Sequence, residues 1–299
     1  MTAVLFIASF TLVVRFYDAE GGSQVTGGLG PSETNGIIVA VDAEAVNATK
    51  NIATLRLAFG AEGTEYVGQD GRLTENLRIT VGTSDGLEEI TFPSGTAISE
   101  REVEIGTSGE EAAYPLDEHD GFVILSADSY ELNRDGSLTS TGSIPLGLQA
   151  GGGVNGWTTL FDLPVGFSDF PAFSVTFKRA FSTQIFAVLI LVIAGILAIL
   201  ALVTALLVHS GRRPAEAALL GWSAALLFAL PLLRTYLPNG PPFGASIDMY
   251  AYLWFILAAG AASVLIVFGW NAQRHEEHKR SLQSSESNPS SPPGGPHAS

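Results

Sequence analysis

The sequence predicts a membrane protein of β + α class. It has an antiparallel β-sandwich outside the cytoplasm, an N-terminal anchor and three C-terminal transmembrane helices. Three observations predict it. Apolar residues concentrate in Ala3–Val14, Ile185–Val208, Ala217–Leu233 and Met249–Trp270. From Asn35 to Phe177, short apolar or alternating runs are broken by turn residues, and no 3.6-residue amphipathic run appears among them. Charge is equally uneven: residues 16–177 hold 25 acidic and 6 basic side chains, a balance of −19 in a chain of net charge −15.

The first block, Ala3–Val14, has the length of a signal-peptide core. No basic residue precedes it, and no small-x-small cleavage site precedes Asp18. Residues 1–15 therefore read as an uncleaved anchor, its start expected upstream of Met1, in preference to a cleaved signal. Both readings export the segment that follows.

Residues 22–180 form the exported domain. Its expected strands are Gly36–Val41, Ala53–Phe59, Asn76–Val81, Glu88–Phe92, Arg101–Ile105, Gly121–Ala127, Ser137–Leu146 and Phe173–Arg179. Arg101-Glu102-Val103-Glu104-Ile105 alternates as a half-buried edge strand does. Gln69-Asp70-Gly71, Ser84-Asp85-Gly86 and Arg134-Asp135-Gly136 are turn signals. Many short strands without alternating helices predict the sandwich. With no cysteine, the domain has neither disulfides nor thiolate metal sites, and its core alone must hold it. A −19 module repels nucleic acid, whose binding rests on basic side chains that neutralise phosphate.

Residues 181–272 form the helical domain. Ile185–Val208 is a 24-residue run with nothing more polar than Thr204. As a helix it is about 36 Å long, against roughly 30 Å of hydrocarbon. Met249–Trp270 spans on the same ground. Ala217–Leu233, 17 residues with Pro231 inside, is near the lower limit. Arg212 and Arg213 follow the first helix, and Arg274, Lys279 and Arg280 follow the third. The positive-inside rule puts both groups in the cytoplasm and the β domain outside, although Lys178, Arg179 and Arg234 lie at the outer end. Residues 273–299, rich in Ser, Pro and Gly from Ser281 onward, are expected to form a disordered cytoplasmic tail.

Chemistry-bearing motifs are out of context. Gly82-Thr83-Ser84-Asp85-Gly86 has nucleophile-elbow spacing, but a strand follows where that motif needs a helix. Gly151-Gly152-Gly153-Val154-Asn155-Gly156 fits a dinucleotide fingerprint with no helix after it, and reads as a flexible loop. His275-Glu276-Glu277-His278 spaces its histidines at i and i+3, where a zinc helix needs i and i+4. Asp117-Glu118-His119-Asp120 is an acidic cluster with the composition of a weak cation site. The expectation is a non-enzyme without cofactor or metal.

Two constellations are structural candidates. In Tyr114-Pro115-Leu116-Asp117 a proline turn lets Tyr114 pack inward and places Asp117 to meet a cation, the nearest being Lys178 and Arg179 before the first helix. Arg234 and Asp248 bound an outer loop stiffened by Pro238, Pro241 and Pro242 and ending in Gly244-Ala245-Ser246-Ile247. Charges at the ends of apolar helices are costly unless paired, so an Arg234–Asp248 pair is expected.

Tyr114-Pro115-Leu116-Asp117, Lys178-Arg179-Ala180-Phe181 and Arg234-x-x-Leu237-Pro238-x-x-Pro241-Pro242-x-Gly244-x-x-x-Asp248 resemble the membrane family catalogued as domain of unknown function 4436. The resemblance covers nearly the whole chain before the tail. It implies the topology above and no activity. Members usually carry an aromatic residue where this chain has Leu116, and a longer first helix.

The expected function is display of an acidic β domain on the bacterial envelope, for binding or assembly. The expected partners are the lipid bilayer and either another protein or a second copy, met through the ectodomain or the helices. The alternative is a channel-like or receptor-like oligomer. Pentameric ligand-gated channels have a similar proline–aspartate turn that meets an arginine ahead of their first helix. In that reading Glu216, Ser223, Leu226, Leu230 and Leu233 form a stripe that lines a pore.

Overall fold

A computed structural model describes residues 23–29, 36–61 and 64–286. The expected anchor at Ala3–Val14 and the tail beyond Glu286 lie outside the described residues. The chain divides into two compact units. One comprises residues up to 188 together with 238–247, and the other comprises residues 189–237 and those from 248 on.

The first unit is a curled sheet. Its strands are β1 (Ser23–Gly28), β2 (Ile37–Asn47), β3 (Ile52–Gly60), β4 (Leu77–Thr83), β5 (Gly86–Phe92) and β6 (Arg101–Gly109). They continue with β7 (Glu118–Leu132), β8 (Leu138–Ile144), β9 (Leu146–Gly151), β10 (Trp157–Val165), β11 (Phe167–Ser168) and β12 (Ala172–Arg179). All of them join one sheet, ordered β1-β10-β12-β7-β6-β3-β2-β9-β11, with β4, β5 and β8 attached through β7.

The hub is β7, 15 residues long. One edge pairs with β12 along residues 118–124 and then with β8. The other pairs with β6 at residues 119–121 and then with β4. β6 divides its own length, giving residues 101–106 to β3 and 107–109 to β7. The sheet therefore curls instead of lying flat, and alternate residues of its strands point into one shared core. Ile37, Val39 and Val41 of β2 meet Leu55 and Leu57 of β3, Ile79 and Val81 of β4, Val123 and Leu125 of β7, and Phe173, Val175 and Phe177 of β12. The period of two that made these runs legible is the period of burial.

Seven of the eight expected strand segments fall, to within a residue, on one observed strand each, and the eighth, Ser137–Leu146, is corrected: it covers β8 and crosses Pro145 to the first residue of β9. The pairing needs correction, because β1 runs parallel to β10 and β2 parallel to β9, so the sheet is mixed, not antiparallel. Ser84-Asp85 is the two-residue turn between β4 and β5, so the elbow-like motif is a hairpin. The Gly151–Gly156 run ends β9 and leads into β10.

Three helices follow: α1 (Phe181–His209), α2 (Ala217–Thr235) and α3 (Leu253–Glu286), the last entered through a π-helical turn at Asp248–Tyr252. All three are long and apolar enough to cross a membrane. α3 runs beyond the apolar block to Glu286, so residues 273–286 are helical where the disordered tail was expected to start. Gln, Arg, Glu and Lys are good helix formers, and they carry the helix past Trp270.

Within the second unit, small side chains set the packing. Ala201 and Ala205 of α1 meet Leu226 of α2 and Ala262 and Ile266 of α3. Gly195 lies so close to the Phe255 ring that a Cβ there would come within 3.1 Å of it. Small residues permit this close approach, and close packing drives helix association in lipid. Ser223, Leu226 and Leu230, expected on a pore-lining stripe, are buried in this unit. That stripe is the packing face of α2 inside a single chain. At the other end Gln273 clips the α1–α2 connection: its Nε2 donates to the carbonyls of Val208 and Arg213, and its Oε1 accepts from the Ala215 N–H.

Candidate functional site

Strand register builds the site at the end of the β unit that leads into α1. β12 pairs with β7 so that Phe177 faces His119 and Lys178 faces Glu118, which sets Arg179 beside Asp117. β12 also pairs with β10, so Trp157 faces Arg179. Alternation does the rest. Asp117, His119, Trp157 and Arg179 point inward and are buried, whereas Glu118 and Lys178 point outward.

Asp117 and Arg179 form a forked ion pair. Arg179 Nε donates to Oδ1 and Oδ2 of Asp117 at 3.0 and 3.1 Å, and Nη2 donates to Oδ2 at 3.0 Å. His119 Nε2 donates to the same Oδ2 at 3.1 Å. Its Nδ1 lies 3.0 Å from the side-chain amide oxygen of Asn51, a left-handed residue (φ 53°) that ends the β2–β3 turn. The guanidinium lies over two rings, 4.0 Å from the Trp157 centroid and 5.0 Å from that of Tyr114. Arg179 Nη1 is buried with no hydrogen-bond acceptor. The ring faces are what the guanidinium meets in place of water, an attraction strengthened by desolvation.

Gly109 makes room for this arrangement. It pairs with His119 across β6 and β7, and a Cβ there would stand 2.3 Å from His119 Nδ1.

Electrostatics follow from the geometry. Burial pushes the Asp117 carboxyl up, but hydrogen bonds from His119 and Arg179, with the charge of Arg179, outweigh it and hold the group below the ordinary carboxylate range. Burial pushes the Tyr114 phenol up to about 12 against the opposing pull of Arg179.

Tyr114 also reaches the segment between α2 and α3. Its hydroxyl donates to the Pro238 carbonyl at 3.1 Å. Residues 238–247 are part of the β unit, although they connect two helices. Within that segment Pro241 is buried, Asn239 and Gly240 turn the chain with positive φ, and Gly244 does so again at φ 89°. Pro115, joined to Tyr114 by a cis peptide, and the exposed Leu116 complete the turn that presents Asp117.

Arg234 and Asp248 flank the same segment in sequence and belong to the helical unit. They meet as a bidentate pair, Nε to Oδ1 at 2.7 Å and Nη2 to Oδ2 at 2.6 Å, which staples the end of α2 to the start of the third helical segment.

The structure thus joins the expected partners Asp117 with Arg179 and Arg234 with Asp248, and it gives Lys178 to Glu118 instead, at 3.0 Å. The acidic run Asp117–Asp120 is not one cluster, because its members alternate between faces and Asp120 accepts from Thr176 Oγ1 at 2.6 Å. Among the described residues no group of three or more His, Cys, Asp or Glu is placed to hold a metal ion. Sequence reasoning missed Asn51, Trp157 and the inward His119. Only the alternation of β10 carried a signal for Trp157.

Two outcomes follow. Asp117 is depressed in the fold, so its contribution to stability is present above the ordinary carboxylate pKa of about 3.9 and is lost as pH falls through the folded value. Asp117→Asn leaves Arg179 buried without a counter-charge and is expected to cost on the order of 3 kcal/mol at neutral pH. In thermal melts of the full chain in detergent, the gap between wild type and Asp117→Asn should narrow below about pH 4. A gap that stays constant across that range contradicts the assignment. At the second pair, Arg234→Ala and Asp248→Ala should each lower the melting point, and the double change should cost less than their sum by more than about 0.5 kcal/mol.

Comparison with known families matches two stretches of the chain. Residues 28–164 match the family model described as domain of unknown function (DUF4436). Residues 179–273 match a second, domain of unknown function (DUF8686). The expected single resemblance over nearly the whole chain is corrected: the Arg234–Asp248 motif belongs to the second match. No curated protein matches. Most of the β unit of this chain is thus similar to the DUF4436 family.

Proposed function

We propose that the chain is a non-enzymatic, polytopic envelope protein that presents its acidic β unit outside the cytoplasm for protein binding or assembly. The reading takes the curl of the sheet as two layers of a sandwich closed on one core. One observation carries it. On the outward face, Leu87, Gly82, Ile124 and Ala172 occupy one row across β5, β4, β7 and β12, and Phe122 lies one outward position along β7. Leu87 is 80% exposed, Phe122 51% and Ile124 41%. Large apolar side chains grouped on a sheet face, beside exposed Glu88 and Glu89, mark a surface that another protein covers. The basic residues after α1 and α3 support the orientation.

A second reading, a receptor-like oligomer, is favoured by the Tyr114–Pro238 hydrogen bond. Through it the β unit holds the segment that joins α2 to α3. A pore lined by the Ser223–Leu226–Leu230 stripe is no part of this reading, since those residues are used inside the chain.

A photo-crosslinker at Phe122 tests the first reading. In intact membranes it should capture a discrete protein, and one at Thr139, on the exposed part of β8, should not. An impermeant thiol label should reach a cysteine at Ser140 from outside and one at Ser291 only after lysis. Capture of a second copy in a ring of five favours the receptor-like reading. Equal labelling of both cysteines from one side overturns the topology.

A further inference from the structure

We propose that the cavity beside the start of α1 is a binding site for a phospholipid headgroup bearing phosphate and a primary amine, of the phosphoethanolamine type. It rests on the reading that α1 crosses a bilayer, and not on which side the β unit faces.

The cavity has a volume of about 390 Å³ and is backed by Asp117 and Arg179. Its polar wall is the outward Glu118–Lys178 pair at 3.0 Å. Its apolar rim is Leu116, 70% exposed, and Phe181, 54% exposed, the first residue of α1. Gln184, one turn into the helix, donates from Nε2 to the Arg179 carbonyl and closes the lower edge. The wall is therefore level with the first turn of a membrane-crossing helix, where lipid headgroups reside and where amphipathic side chains settle.

The chemistry of the wall selects the headgroup. The Asp117–Arg179 pair behind it is internally neutral and saturates its own carboxylate. The Glu118–Lys178 pair is about half exposed, with side-chain exposures of 53% and 45%, so it is loosely held and able to open. A zwitterion inserted there makes two charge-assisted contacts: its phosphate accepts from the Lys178 ammonium, and its amine donates to the Glu118 carboxylate. A primary ammonium has N–H donors for Glu118, and a quaternary one has none. An anionic headgroup without an amine would leave Glu118 facing it, in a domain already at −19. The glycerol and first acyl carbons lie against Leu116 and Phe181, which explains two large apolar side chains standing open at this level.

The test uses the full chain in mild detergent, titrated with phosphatidylethanolamine, phosphatidylcholine or phosphatidylglycerol and read by native mass spectrometry. One phosphatidylethanolamine should be retained about tenfold more tightly than either of the others. Glu118→Gln and Lys178→Gln should each reduce that retention by about tenfold, and Glu131→Gln, exposed at the far end of β7, should leave it unchanged. Equal retention of the three lipids, or retention unmoved by both cavity variants, overturns the proposal. Extraction of the protein from membranes by alkaline wash without detergent would instead overturn the membrane-spanning reading on which it rests.

Discussion

A guanidinium buried at the last residue of a β-strand, with one residue between it and a membrane-length helix, is the constraint that the rest of the structure serves. Arg179 ends β12, and α1 begins at Phe181. Taking such a charge out of water is costly unless it is paired and its remaining donors are placed. Asp117 supplies the counter-charge, His119 fixes the carboxylate, and Trp157 and Tyr114 cover the cation. They come from three parts of the sequence: Tyr114 and Asp117 from the proline turn, His119 from the hub strand and Trp157 from β10. The β2–β3 turn adds Asn51, and β6 leaves a glycine at 109 where a side chain would strike His119. The polar network therefore fixes where several strands end relative to one another, because moving any one of them would leave a buried charge or donor without its partner.

The two units solve opposite problems. The β unit excludes water from a dense aliphatic core and keeps its many carboxylates outside, where repulsion favours solubility. The helical unit is apolar on most of its surface, and its helices meet through alanine and glycine contacts and a few polar clips. Gln273 ties the α1–α2 connection, and Arg234–Asp248 ties the α2–α3 connection. Residues 238–247 belong to the β unit, and the Tyr114 hydroxyl links a turn of that unit to this stretch, whose two ends lead into helices. This is the arrangement on which a receptor-like reading depends.

Much of this was legible in the sequence, for physical reasons. The three helices declare themselves by length and apolarity. Strands such as β2, β3 and β12 bury alternate residues and so show a period of two. The charged candidates were legible because a charge beside an apolar helix demands a partner. Other features were hidden. β9 buries Leu146, Gly147 and Leu148 in succession, which erases the alternation, and its glycines read as loop. β10 does bury Trp157, Thr159, Phe161 and Leu163 in alternation, but two of its nine residues are threonines and Pro164 follows directly, which weakens the pattern. Parallel pairing of β1 with β10 and β2 with β9 joins segments more than 100 residues apart, and local pattern holds no record of it. The run Asp117–Asp120 looked like one acidic cluster because sequence adjacency conceals that neighbours in a strand face opposite ways.

The central claim is that Asp117 and Arg179 are retained as a mutually compensating pair on which the join between sheet and helix depends. The most direct measurement is thermal stability of the full chain in detergent for Asp117→Leu, Arg179→Met and the two together. Either single change leaves a buried charge alone and should cost about 3–5 kcal/mol. The double change removes both charges and should recover most of that loss. A double variant as unstable as the sum of its singles would show that the two charges do not compensate each other, and would contradict the account.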